Sequence, residues 1–145
     1  MTEKDSWASL VAEFMRLNDG REAPKIPTAD LNPKTEALRL HLMMEELGEL
    51  SRGLNEKDLH KCGDAITDLL YVVVGTGVAL GLGPLLDSMF REVHASNMTK
   101  ELGSASDYAG SRRAVKGPNF KPPQLAEMID QYVNDCFAIF KSEKP

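Results

Sequence analysis

The feature that most constrains this chain is a run without a single charge, LLYVVVGTGVALGLGPLL, from Leu69 to Leu86. It is just long enough to cross a bilayer, which takes about 20 apolar residues. Gly75, Gly77, Gly81, Gly83 and Pro84 interrupt it, and it starts directly behind Asp68. It therefore reads as a helix buried on all sides of a soluble protein and ended near Gly81 to Gly83. A composition of 42% hydrophobic and 27% charged residues agrees with a soluble globular chain. At 145 residues, the simplest organisation is one domain spanning 1–145.

The remaining segments repeat at helical spacing. Ser6 to Leu17 places Trp7, Leu10, Val11, Phe14 and Leu17 on one side, with Asp5 or Ser6 as cap. Residues 21–33, with Pro24, Pro27 and Pro33, form an ordered connector. A second helix opens at Thr35 or Asn32 and runs to about Leu54. Asn55 to Asp58 links it to a third helix, about Leu59 to Leu80. Pro84 suits the first turn of a fourth helix, Leu85 to about Asn97. Residues 101–123 are a long Gly-, Ser- and Pro-rich loop, and Gln124 to Phe140 is a last amphipathic helix. No segment alternates as a strand, so the fold class expected is an all-α antiparallel bundle of about five helices.

The segment MMEELGELSRGL puts Glu45, Glu46 and Glu49 beside the apolar stripe of the second helix. Steps of three and four residues keep them in one sector, where like charges repel. Asp64 and Asp68 are four apart on the third helix and share a face. If the two helices pack antiparallel across the short link, the acids converge, and an all-oxygen site suits Mg²⁺, with Mn²⁺ able to substitute. An E-x-x-E pair taken alone is equally a solvated face. A di-iron site would need Glu-x-x-His motifs, which His41, His60 and His94 do not form. Cys62 and Cys136 match no zinc spacing and read as reduced thiols, and MTEKDSWASL lacks the pattern of a signal peptide, so a cytoplasmic location is expected.

A net charge of −5 argues against nucleic-acid binding. It leaves room for an anionic small molecule held through a cation. Asn97 and Lys100, three apart, would share a helix face. Arg112, Arg113, Lys116 and Lys121 make the late loop basic, and Gly117-Pro118 allows close approach beside Lys116. Acids for a metal and bases for phosphates are the parts that metal-assisted phosphoanhydride hydrolysis requires.

Glu45-Glu46-Leu47-Gly48-Glu49-Leu50, followed by Gly63-Asp64-Ala65-Ile66-Thr67-Asp68-Leu69-Leu70-Tyr71-Val72, resembles the MazG-like, all-α nucleoside triphosphate pyrophosphohydrolases. That group includes phosphoribosyl-ATP pyrophosphohydrolase-like proteins and relatives of the dimeric dUTPases. Glu92 to Lys100 and Val115 to Phe120 are similar to one branch of it. The resemblance implies an Mg²⁺-dependent enzyme that cleaves a (d)NTP between its α- and β-phosphates, releasing a nucleoside monophosphate and pyrophosphate. It implies Glu46, Glu49 and Asp64 as metal ligands and Glu45 as an acid that either binds a second metal or acts on the attacking water. It also implies Asn97 and Lys100 near the nucleotide's phosphates or sugar, and assembly as a homodimer or homotetramer. One position departs: the first acid of the family's E-x-x-D falls at Lys61. Either Asp68 takes over as ligand, or the site binds one metal less firmly. The alternatives are phosphoribosyl-ATP as substrate and a catalytically silent nucleotide-binding module.

Overall fold

A computed structural model of the chain describes residues 6–103 and 113–142. The MTEKD start, with Asp5 as alternative cap, and Arg112 lie outside the described residues. The element order is α1 (Trp7–Asp19), α2 (Pro33–Glu56), α3 (Leu59–Ala79), a 3₁₀ turn (Gly83–Leu85), α4 (Leu86–Asn97), β1 (Glu101–Leu102), β2 (Ala114–Val115) and α5 (Leu125–Ser142). The protein is all-α, as its periodicity dictates. The strand pair is the departure: Glu101 stands opposite Val115 and Leu102 opposite Ala114, antiparallel, inside the long loop. Two residues per strand are too few to leave an alternating signature in sequence.

Local chemistry fixes the helix ends. Ser6 caps α1 by accepting from Ser9 N, and Gly20 closes it in the left-handed region at φ 70°. Asn32 caps α2 by accepting from Thr35 N, with Pro33 at the first helical position. Asp58 caps α3, its Oδ1 accepting from His60 N at 3.0 Å and Lys61 N at 3.2 Å. Past the end of α3, Gly81 adopts φ 79°, and a Cβ there would stand 2.9 Å from Pro27 Cα. Thr28 N donates to Leu80 O nearby, so the proline-rich connector is ordered against this turn.

Contacts divide the chain into two compact units. The first comprises residues 1–86 with 136–145, the second 87–135. In the first, Val11 and Met15 of α1 bury against Val78 and Ala79 of α3, with Ala8, Ala12 and Val74 beside them. Helices α2 and α3 form an antiparallel hairpin that buries Gly53, Ala65 and Val72. Its backbones approach so closely that a Cβ on Gly53 would lie 3.0 Å from Cys62 N. In the second unit, the buried Ser96 Oγ donates to Lys121 O at 2.7 Å. Lys121 N donates to Thr99 Oγ1 at 2.9 Å, which ties the loop to the end of α4.

By length and composition α3 could cross a membrane. Its packing corrects the expectation of burial on all sides. Val72, Val78 and Ala79 are in the core, whereas Ile66, Leu70, Tyr71 and Val73 are exposed in the isolated chain. The helix meets α1, α2 and the 3₁₀ turn, and a Cβ on Gly77 would stand 2.8 Å from Leu86 Cδ1.

Candidate metal and phosphate site

The acids sit on the facing helices of the α2–α3 hairpin, all within the first unit. Glu45 has His41 Nε2 4.0 Å away, one turn back on α2. Glu49 accepts from Arg52 Nη2 at 3.2 Å. Glu46 has the most unfavourable environment of the three. Partial burial pushes its carboxyl above the ordinary range, and the negative charges of Asp68, Glu49, Glu45 and Asp64 push it further. The structure thus brings all five predicted acids into one electrostatic neighbourhood with Glu46 at its centre.

Among the described residues, no three acidic, histidine or cysteine side chains are drawn into a ready-made ligand cage. The donor set nonetheless fits a hard divalent ion. It is all oxygen, it comes from two rigid helices, and its central member is destabilised for want of positive charge. Glu45 and Glu49 are about half exposed, so their side chains are free to reorient.

Lys61 starts the acid-bearing face of α3. Its ammonium pairs with Glu56 near the end of α2. That hydrogen bond, followed by the carboxylate's charge, holds the lysine pKa above its ordinary value. Leu59, His60, Lys61, Gly63 and Asp64 line an open cleft of about 520 Å³ at this end of the hairpin.

The other predicted phosphate ligands belong to the second unit. Asn97 is the last residue of α4 and exposed. Lys100 lies beyond the helix, its N donating to Asn97 O at 3.1 Å. The expected helix face shared by Asn97 and Lys100 does not form, because the chain leaves the helix after Asn97 to reach β1. Lys116 Nζ stands 5.0 Å over the Phe120 ring, a cation–π contact beside the turn at Gly117-Pro118.

A family model described as phosphoribosyl-ATP pyrophosphohydrolase matches residues 11–97. That span holds all five acids and most of the described helical framework. The chain belongs to this family. The phosphoribosyl-ATP pyrophosphohydrolase family is one of hydrolases acting on phosphoanhydride bonds, within the MazG-like all-α superfamily. Among curated proteins, it is similar to "Uncharacterized protein L479" of Acanthamoeba polyphaga mimivirus. The two are 48% identical over 61 residues, 39% of this chain. The chain spans about a quarter of that relative's length, 24%.

Sequence reasoning passed over Glu56, although it stands seven residues, two turns, from Glu49 on the same stripe. It also passed over Arg39, which is buried within the apolar stripe of α2. Gly75 makes room for it, since a Cβ there would stand 2.8 Å from Nη1. An arginine inside a leucine stripe opposite a glycine was the available signal.

Proposed function

We propose that this chain is an Mg²⁺-dependent nucleoside triphosphate pyrophosphohydrolase that cleaves a (d)NTP into nucleoside monophosphate and pyrophosphate as part of nucleotide-pool cleaning. The observation that carries the reading is the raised carboxyl of Glu46, surrounded by Asp68, Glu49, Glu45 and Asp64, in a chain of this family. Carboxylates held this way on adjoining helices gain stability when a doubly charged cation joins them.

Glu46, Glu49, Asp64 and Asp68 would hold the ion, with Mn²⁺ able to replace Mg²⁺. When bound, it supplies charge neutralisation to the triphosphate. Glu45 is half exposed and accessible to water. It orients that water and takes its proton as the water attacks the reacting phosphorus. The bond to the bridging oxygen between the α- and β-phosphates breaks, and pyrophosphate leaves. Asn97, Lys100 and Lys116 bind phosphate and sugar oxygens through charge-assisted and neutral hydrogen bonds.

The same reading takes residues 1–145 as one working domain, cytoplasmic, bound to neither nucleic acid nor membrane. It assembles as a homodimer or homotetramer. Support for assembly comes from the apolar side chains left in solvent on α1 and α3, among them Trp7 at 62%, Phe14 at 51% and Val73 at 47% exposure. A catalytically silent nucleotide-binding module is the second reading, favoured by the ion-paired Lys61 on the acidic face.

A pyrophosphate-release screen over normal and modified nucleotides and phosphoribosyl-ATP, with Mg²⁺, tests the assignment. Turnover of a (d)NTP is expected. Glu49→Gln should lower it by about 100-fold or more, because a charged ligand is lost, while circular dichroism is unchanged. Normal turnover by this variant would refute the metal assignment. Preference for phosphoribosyl-ATP would replace the substrate, and binding without turnover would favour the silent module.

A further inference from the structure

The charges on the α2–α3 hairpin are ordered along its length. On α2, Glu49 and Glu56 share a stripe, two turns apart. On α3, Lys61, Asp64 and Asp68 follow one another at steps of three and four residues, so they share a face. The two stripes meet. Asp64 and Asp68 act on Glu46 away from the turn, and Lys61 pairs with Glu56 next to it. The rung nearest the turn therefore carries a cation on the acids' own stripe.

Lys61 and Asp64 line the same open cleft of about 520 Å³, together with His60. One helical step of three residues separates them, about 4.5 Å along the axis. An ammonium cannot ligate a metal ion, but it has three hydrogens to donate. Glu56 occupies one, which leaves two to point at an anion in the cleft. The Asp58 cap takes up the backbone N–H groups of His60 and Lys61, so the positive charge available there is that of the side chain.

We propose that Lys61 is a substrate-binding residue that grips the departing end of the polyphosphate, which lies in this cleft between Asp64 and the α2–α3 turn. The identity of the ligand as a polyphosphate rests on the pyrophosphohydrolase reading above. Lys61 replaces a would-be metal ligand with a direct phosphate contact, and Glu56 is its ion-pair partner on α2.

The test is calorimetric titration of the full chain with pyrophosphate in Mg²⁺. It is paired with Mn²⁺ titration followed by electron paramagnetic resonance in the absence of pyrophosphate. Lys61→Gln should weaken pyrophosphate binding about tenfold, as expected for loss of a hydrogen bond to a charged group, and should leave Mn²⁺ binding intact. Glu56→Gln breaks the same ion pair but keeps the ammonium, so it should hold pyrophosphate within about twofold of wild type.

Equal losses in both variants would make the pair a hairpin staple only, and unchanged affinity in Lys61→Gln would remove the contact. A parallel loss of Mn²⁺ binding would mean that Lys61 acts through the acids. Each of these overturns the proposal, as does a wild-type chain that binds no pyrophosphate. Lys61-dependent pyrophosphate binding in a chain that releases none from any nucleotide would uphold the Lys61 contact and refute the pyrophosphohydrolase reading.

Discussion

Replacing Glu46 by Gln should reverse the sign of its effect on stability when Mg²⁺ is added. In the metal-free protein the carboxylate is penalised by partial burial and by four neighbouring carboxylates. Glutamine has nearly the same shape and helix propensity, so the substitution removes charge alone. A like-charged pair at helical spacing costs about 0.2–0.5 kcal/mol. Glu49 alone stands at that spacing from Glu46, Glu45 is adjacent in sequence and Asp64 and Asp68 act from α3, so with solvent screening the whole penalty is roughly 1 kcal/mol. For a domain of this size that moves Tm by about 2–4 °C. In chelator, Glu46→Gln should therefore melt higher than wild type by that amount.

A cation that binds only the folded state stabilises it by about 1.4 kcal/mol at ten times its Kd. Wild type should gain that increment in Mg²⁺ and the variant should lose most of it, so the order of the two Tm values inverts. Scanning calorimetry with chelator and with Mg²⁺ measures both. Glu46→Gln melting below wild type in chelator, or gaining as much from Mg²⁺, would refute the picture of converging acids.

The remaining predictions concern pH, packing and assembly. The folded carboxyl of Glu46 lies above its unfolded value of about 4.5, so the metal-free folded state takes up that proton first as pH falls. The penalty is complete above the folded pKa and vanishes below the unfolded one. The chelator Tm gap between Glu46→Gln and wild type should thus shrink on acidification from neutral pH, and a gap independent of pH would contradict this.

Gly53→Ala would set a Cβ 3.0 Å from Cys62 N and Sγ and 3.3 Å from Lys61 C. Overpacking of about 1–3 kcal/mol should outweigh the ~0.5–1 kcal/mol helix gain of alanine. Urea denaturation would show a lower midpoint at unchanged slope, and equal or greater stability would be the contrary result. Leu70 is 46% exposed and lines an apolar cleft with Trp7 and Leu10 of α1. Leu70→Glu should shift the sedimenting species to monomer without loss of helicity, and an unchanged oligomer would remove that cleft from the assembly.

Much of this protein is determined by near-neighbour chemistry, and that part is legible in the chain. Ser6, Asn32 and Asp58 cap the three helices they precede, and Gly20 and Gly81 take the left-handed turns that follow α1 and α3. The steps between Glu45, Glu46 and Glu49, and between Asp64 and Asp68, fix which acids share a helix face before any packing is known. Other features exist only once helices meet. Glu46 becomes the strained centre of the cluster because α3 brings Asp68 and Asp64 to it. Lys61 becomes the partner of Glu56 because Gly53 lets the hairpin close. Lys100 leaves the face of Asn97 because α4 ends to feed a strand pair too short to announce itself. The apolar later part of α3 keeps Leu70, Tyr71 and Val73 exposed because neighbours within one chain cover only part of its surface. Periodicity sets where side chains point around one axis; which axes lie side by side is set by burial summed over the whole chain, and the pairing of distant charges follows from that.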